Sequence, residues 1–169
     1  MVDVVLEFGR RGPAGTERGV LPVLRDGTVV ATLRASNWKE AATAVIADRE
    51  WAFARHRREL TGRCSVDAED TARLRAWPTS FWRSTWAADL AGRPVEISIG
   101  SLWKGTHLVT SGKTLVAEGR TGGGWGRRQA LTVHDELPLE AEVFLLWWEL
   151  VVSRRNSGAA IAGAAGASA

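Results

Sequence analysis

Apolar positions along the chain fall into short, partly alternating runs separated by turn residues, followed by one continuous apolar block near the C-terminus. Alternation at period two with β-branched residues predicts strands, because successive side chains of a strand face opposite ways. The pattern places strands near residues 2–8, 19–25, 28–35, 41–47, 50–55, 60–66, 71–77, 84–90, 94–99, 105–110, 113–118 and 129–134. The Ala-rich run Ala41-Ala42-Thr43-Ala44 is also compatible with a helix. Asp26-Gly27 suits a two-residue hairpin turn with positive φ at both centres, and Ala91-Gly92 and Ser111-Gly112 sit at comparable joints. The reading is about twelve short antiparallel strands, mostly joined as hairpins.

The apolar block is different in kind. Leu139 to Val152 is apolar on every face except a narrow stripe of Glu142, Glu149 and Ser153. Pro138 suits a first helical turn. Glu140 and Glu142 complement the positive end of a helix dipole, and Arg154 and Arg155 the negative end. A helix apolar nearly all round has to be surrounded. Fourteen residues reach about 21 Å, short of the roughly 30 Å hydrocarbon core, and intramembrane glutamates are costly. Enclosure by the protein is expected over a membrane span.

A second pattern is a four-residue unit, Ser36-Asn37-Trp38-Lys39, Ser80-Phe81-Trp82-Arg83, Ser101-Leu102-Trp103-Lys104 and, loosely, Gly124-Trp125-Gly126-Arg127. Its tryptophans stand 44, 21 and 22 residues apart, a period of about 22 with one unmarked repeat near Leu60. That length fits two strands and two turns, hence a repeated hairpin. Exposed, such units would form a lipid-interface or base-stacking surface. Buried, each Trp packs on the core while the cation points outward by strand alternation. Recurrence once per hairpin favours the buried reading.

Strand count, hairpin rhythm and the helix Leu139–Val152 together describe a barrel threaded by its own helix. Over residues 1–155 the chain resembles the tubby C-terminal-like superfamily, which includes the LURP-one-related proteins and the phospholipid scramblases. The resemblance implies a hydrophobic helix along the barrel axis, and association of some members with phosphoinositides or membranes. The chain lacks the scramblases' cysteine cluster and acidic calcium segment, so lipid translocation is not implied. A pleckstrin-homology-like barrel needs only about seven strands, fewer than this chain offers.

Composition adds bounds. A length of 169 residues with 45% hydrophobic and 24% charged residues fits one soluble globular domain. The domain is expected over 1–155 with its helix at 138–155, and the Ala/Gly-rich residues 156–169 form a disordered tail. Gly9 to Gly19 reads as a mobile loop. Nine Trp without a Tyr means that several indoles must serve structure. Net charge is +3, distributed as zero over residues 1–70, +6 over 71–134 and −3 over 135–169. The basic middle segment would favour an anionic partner.

Candidate chemistry is sparse. His56, His107 and His134 have no His or Cys at metal-ligand spacing, so no metal site is expected. Cys64, the single cysteine, excludes an intramolecular disulfide and lacks a nucleophile signature. The glycine run Gly119–Arg128 fails the phosphate-loop patterns, although its amides with Arg127 and Arg128 could cradle an anion. The expectation is therefore a non-enzymatic binding module without cofactor, cytoplasmic and peripheral at the membrane. Its basic barrel face, with Arg83, Lys104, Arg127 and Arg128, would meet anionic lipid. A protein-interaction scaffold is the alternative, and nucleic acid is not expected. Glu149, on an enclosed helix, is expected to find an Arg or Trp N–H donor.

Overall fold

Twelve strands form in chain order: β1 (Val4–Phe8), β2 (Leu21–Arg25), β3 (Thr28–Ala35), β4 (Ala41–Ile46), β5 (Arg49–His56), β6 (Glu59–Cys64), β7 (Leu74–Ser80), β8 (Thr85–Leu90), β9 (Arg93–Ser101), β10 (Thr106–Ser111), β11 (Thr114–Arg120) and β12 (Ala130–Val133). Among the described residues one α-helix, α1 (Leu139–Ala165), follows. The structure, a computed structural model, describes residues 3–10, 19–36, 38–121 and 128–165, with side chains described through Ala159. Every strand pairs antiparallel with its sequence neighbours, and β1 pairs with both β2 and β12, which closes the barrel. Closure leaves no unpaired edge strand.

The expected strands are present, including β4, where the Ala-rich segment is strand rather than helix. Its alternation decides this: Ala42, Ala44 and Ile46 face inward while Thr43 and Val45 face solvent. Asp26 and Gly27 take φ of 49° and 84°, and Ala91 and Gly92 take 57° and 93°, as the tight right-twisted hairpin requires. The seventh strand begins later than its pattern suggested, because Glu69–Thr71 forms a short 3-10 turn.

A barrel of about eight strands is filled by its own side chains, and a wider one is not. Here α1 fills the lumen. Ala141 and every residue from Val143 to Leu146 is buried, as are Trp147, Trp148, Leu150 and Val151. Small inward residues of the wall, Ala42, Ala44, Ala76 and Ala88, leave room for the bulky helix. Phe144 and Trp147 pack on Phe53 of β5, with ring centroids 5.5 and 5.4 Å apart. Trp148 meets Trp86 of β8 edge-on at 5.5 Å. Trp147 and Trp148 project about 100° apart on the helix, so the burial of both requires walls on more than one side.

Two expectations change here. The helix does not end near Arg155: residues 156–165 continue it, where a disordered tail was expected. Alanine is the strongest helix former, and a helix already nucleated inside the barrel has only to propagate. Residues 166–169 lie outside the described residues, as does most of the Gly9–Gly19 loop. The second change concerns Trp38, Trp82 and Trp103, which stand on connections between strands and not within them.

Candidate functional site

Because strand direction alternates around the barrel, connections from odd to even strands all open at one end. The β3–β4, β5–β6, β7–β8, β9–β10 and β11–β12 connections therefore share that end, together with the end of β1. The 22-residue period is the return of the chain to this end once per hairpin. Trp38, Trp82 and Trp103 occupy three of these connections and are 95%, 92% and 99% exposed. Phe81 and Leu102 beside them are also exposed. The buried reading of these units is thus overturned; the core indoles are instead Trp51, Trp86, Trp147 and Trp148. Trp125 lies outside the described residues.

In the three described units a serine shapes the connection. Ser36 Oγ accepts the backbone N–H of Lys39 at 3.1 Å. Ser80 Oγ accepts from Arg83 at 3.2 Å and Ser101 Oγ from Lys104 at 3.4 Å. A serine hydroxyl satisfying an amide three residues on is a local turn device. It folds the chain so that the intervening apolar side chain projects from the loop tip. The unmarked repeat is the tight β5–β6 turn, which presents Arg57 and Arg58 without a tryptophan.

Of the expected anion-facing residues, Arg83 and Lys104 lie exposed at this end on neighbouring hairpins. Arg128 lies at the same end, half-buried, its guanidinium 3.5 Å from the carbonyl of Phe8. Arg127 lies outside the described residues. Lys39, named in a Trp unit but not placed on the anion-facing surface, and Arg57 and Arg58, which sequence reasoning missed, join the same end from the segment whose charge sums to zero. Acids among the described residues of this end include Glu40 and Glu59. The opposite end carries Asp3, Asp26, Asp48, Asp67, Glu69, Asp70, Asp89, Asp135 and Glu136, against Arg25, Arg49, Arg73, Arg93 and Lys113. The barrel is polarised along its axis, basic and aromatic at one end and mixed to acidic at the other.

The helix follows that axis. Near its start, Glu142 pairs with Arg25 at the acidic end. Near its exit, Arg155 donates to both carboxylate oxygens of Glu40, at 2.5 and 2.7 Å, and lies 5.3 Å from the centre of the Trp86 ring. Arg154 donates to the carbonyl of Ser36 at 2.7 Å. The Arg155 hydrogen bond holds the Glu40 carboxyl below its usual range, with Arg55 adding to the effect.

Inside the barrel Glu149 of α1 meets His107 of β10. His107 Nδ1 stands 3.0 Å from both Glu149 carboxylate oxygens, with His107 8% and Glu149 1% exposed. The expected Arg or Trp donor is therefore replaced by a histidine. Burial pushes the Glu149 carboxyl above its usual range, partly offset by the His107 hydrogen bond. A break in the β9–β10 register between Thr106 and His107 turns both side chains inward, which simple alternation does not foresee.

This pair is sealed and adjoins Trp148, whose ring lies 4.9 Å from His107. A surface cavity of about 520 Å³ at the acidic end is lined by Trp51, Cys64, Asp67, Arg73 and Glu140 among others, with no histidine to activate the thiol. Among the described residues no group of His, Cys, Asp and Glu could hold a metal ion. Nor is any described helix long and apolar enough to cross a membrane. No protein-family model, curated protein or solved structure matches the chain.

Proposed function

We propose that the protein is a non-enzymatic binding module that associates end-on with anionic membrane lipid through its tryptophan-tipped rim. The observation that carries this reading is the gathering of Trp38, Trp82 and Trp103 at one end, each followed by a cation. An indole has an apolar body and one N–H donor, which suits the headgroup boundary. A Trp fully withdrawn from water buries about 150–250 Å², worth about 4–6 kcal/mol at 25 cal/mol per Å². Partial insertion gives a fraction of that per residue, and a basic side chain near the surface adds about 1 kcal/mol. Neither term dominates, so both contribute.

End-on contact is also what the wall permits. Arg34, Glu96 and Arg55 face outward and exposed on the strands, and a charge held in hydrocarbon near the bilayer midplane costs about 2–4 kcal/mol. The axial polarity would turn the basic end toward an anionic surface before contact. The tubby-like resemblance points the same way.

Flotation with phosphatidylcholine vesicles, with and without phosphatidylserine, tests the reading. Recovery should rise with the anionic lipid and fall, without vanishing, as salt screens charges beyond about 8–10 Å. Arg83→Glu with Lys104→Glu should lower recovery at low salt while leaving thermal stability unchanged. Equal recovery from both vesicle types would remove the anionic preference. No recovery from either, with a stable complex in pull-downs, would favour an interaction scaffold.

A further inference from the structure

We infer that α1 beyond Arg155 enters the lipid as a central prong of this rim, reaching into one leaflet without crossing the bilayer. The inference rests on the membrane reading above. The exit of the helix lies inside the ring of loops, because Arg155 touches Glu40 in the β3–β4 connection and Trp86 on β8, on separate parts of the wall. A surface that meets Trp38, Trp82 and Trp103 together therefore lies across the path of the helix.

The segment that emerges is suited to that path. Asn156, Ser157, Gly158 and Ala159 are exposed, so the helix here packs no face on the barrel. Over residues 156–169 the sequence carries no charged side chain and consists of Ala, Gly and Ser with Asn156 and Ile161. In water an unpacked helical stretch containing Gly158 and Gly163 gains little. In lipid the same backbone is self-satisfied, and helix is one of the few conformations tolerated. From Arg155 to Ala165 the helix advances about 15 Å at 1.5 Å per residue, about half of a 30 Å hydrocarbon core. Arg154 and Arg155 would then sit at headgroup level, where cations belong.

Single-cysteine chains test this. Cys64→Ser is combined with Ala159→Cys, Ala165→Cys or, as a control at the opposite end, Lys113→Cys, and each is labelled with a nitrobenzoxadiazole probe. On phosphatidylserine–phosphatidylcholine vesicles the probes at 159 and 165 should shift to the blue and lose access to dithionite. The probe at 165 should be quenched more by acyl-chain spin labels than the probe at 159, and the probe at 113 should stay accessible. Circular dichroism and unchanged flotation of each labelled chain confirm that folding and binding survive. Flotation with both helix probes still accessible to dithionite overturns this inference and leaves the lipid reading standing. Absence of flotation in the unlabelled chain overturns both.

Discussion

At the scale of single residues, the sealed contact of Glu149 with His107 is where the largest effects are expected. His107→Ala removes the partner of a carboxyl that is 1% exposed. Leaving a buried polar group unmade costs about 1–3 kcal/mol, to be read from chemical denaturation. Replacing both, as His107→Leu with Glu149→Met, should be closer to wild type than His107→Leu alone. The same carboxyl sets a pH dependence. In the folded chain burial raises its pKa, so the native state keeps a proton that the unfolded chain releases. Stability therefore falls as pH rises from the usual carboxylate value of 4.5 through the raised one, and the penalty is absent below that window. Glu149→Gln should gain on wild type as pH rises above 4.5; parallel curves would contradict this. Gly119 shows how closely the wall meets this group, since a Cβ there would collide with Glu149 Oε1. Gly119→Ala should cost about 1–3 kcal/mol by overpacking. The carboxyl's need for a partner was legible in the helix pattern. The partner's identity was not, because a break in strand register and not alternation turns His107 inward.

At the scale of elements, strand positions and the helix were readable because closure imposes two clean periods, inward alternation on the wall and all-round apolarity on the lumen filler. Leu146, fully buried at the middle of the buried stretch of α1, should cost about 2–5 kcal/mol when changed to Ala, measured as a lowered denaturation midpoint. What the pattern misjudged were segments with weak hydrophobic signal. The end of α1 is Ala/Gly-rich, which reads as disorder by composition, yet it continues a helix begun by packing. The Trp units misled for a related reason: a large aromatic at a fixed period looks like core. The serine three positions before each cation was the available sign of a loop, since that hydroxyl belongs in a turn rather than mid-strand.

At the scale of the whole molecule, the proposed site was hidden by the way charge was summed. The chain visits the two ends in turn about every eleven residues, half its period of about 22, so contiguous segments average a basic end with an acidic one. Residues 1–70 balance to zero although Lys39, Arg57 and Arg58 sit at the basic end and Asp26, Asp48, Asp67, Glu69 and Asp70 at the other. Assigning charges by parity of the connection, which requires only the meander topology, separates them. Arg83 and Lys104 were found because each follows the Trp of a unit, in a segment of net charge +6. The central claim is that the tryptophan tips anchor the basic end to lipid. It is tested most directly by flotation of the triple variant Trp38→Ser, Trp82→Ser and Trp103→Ser on phosphatidylserine-containing vesicles at near-physiological salt. The account predicts loss of flotation with an unchanged melting temperature, because these side chains, each more than 90% exposed, support no core. A triple variant that floats as well as the wild type would contradict it.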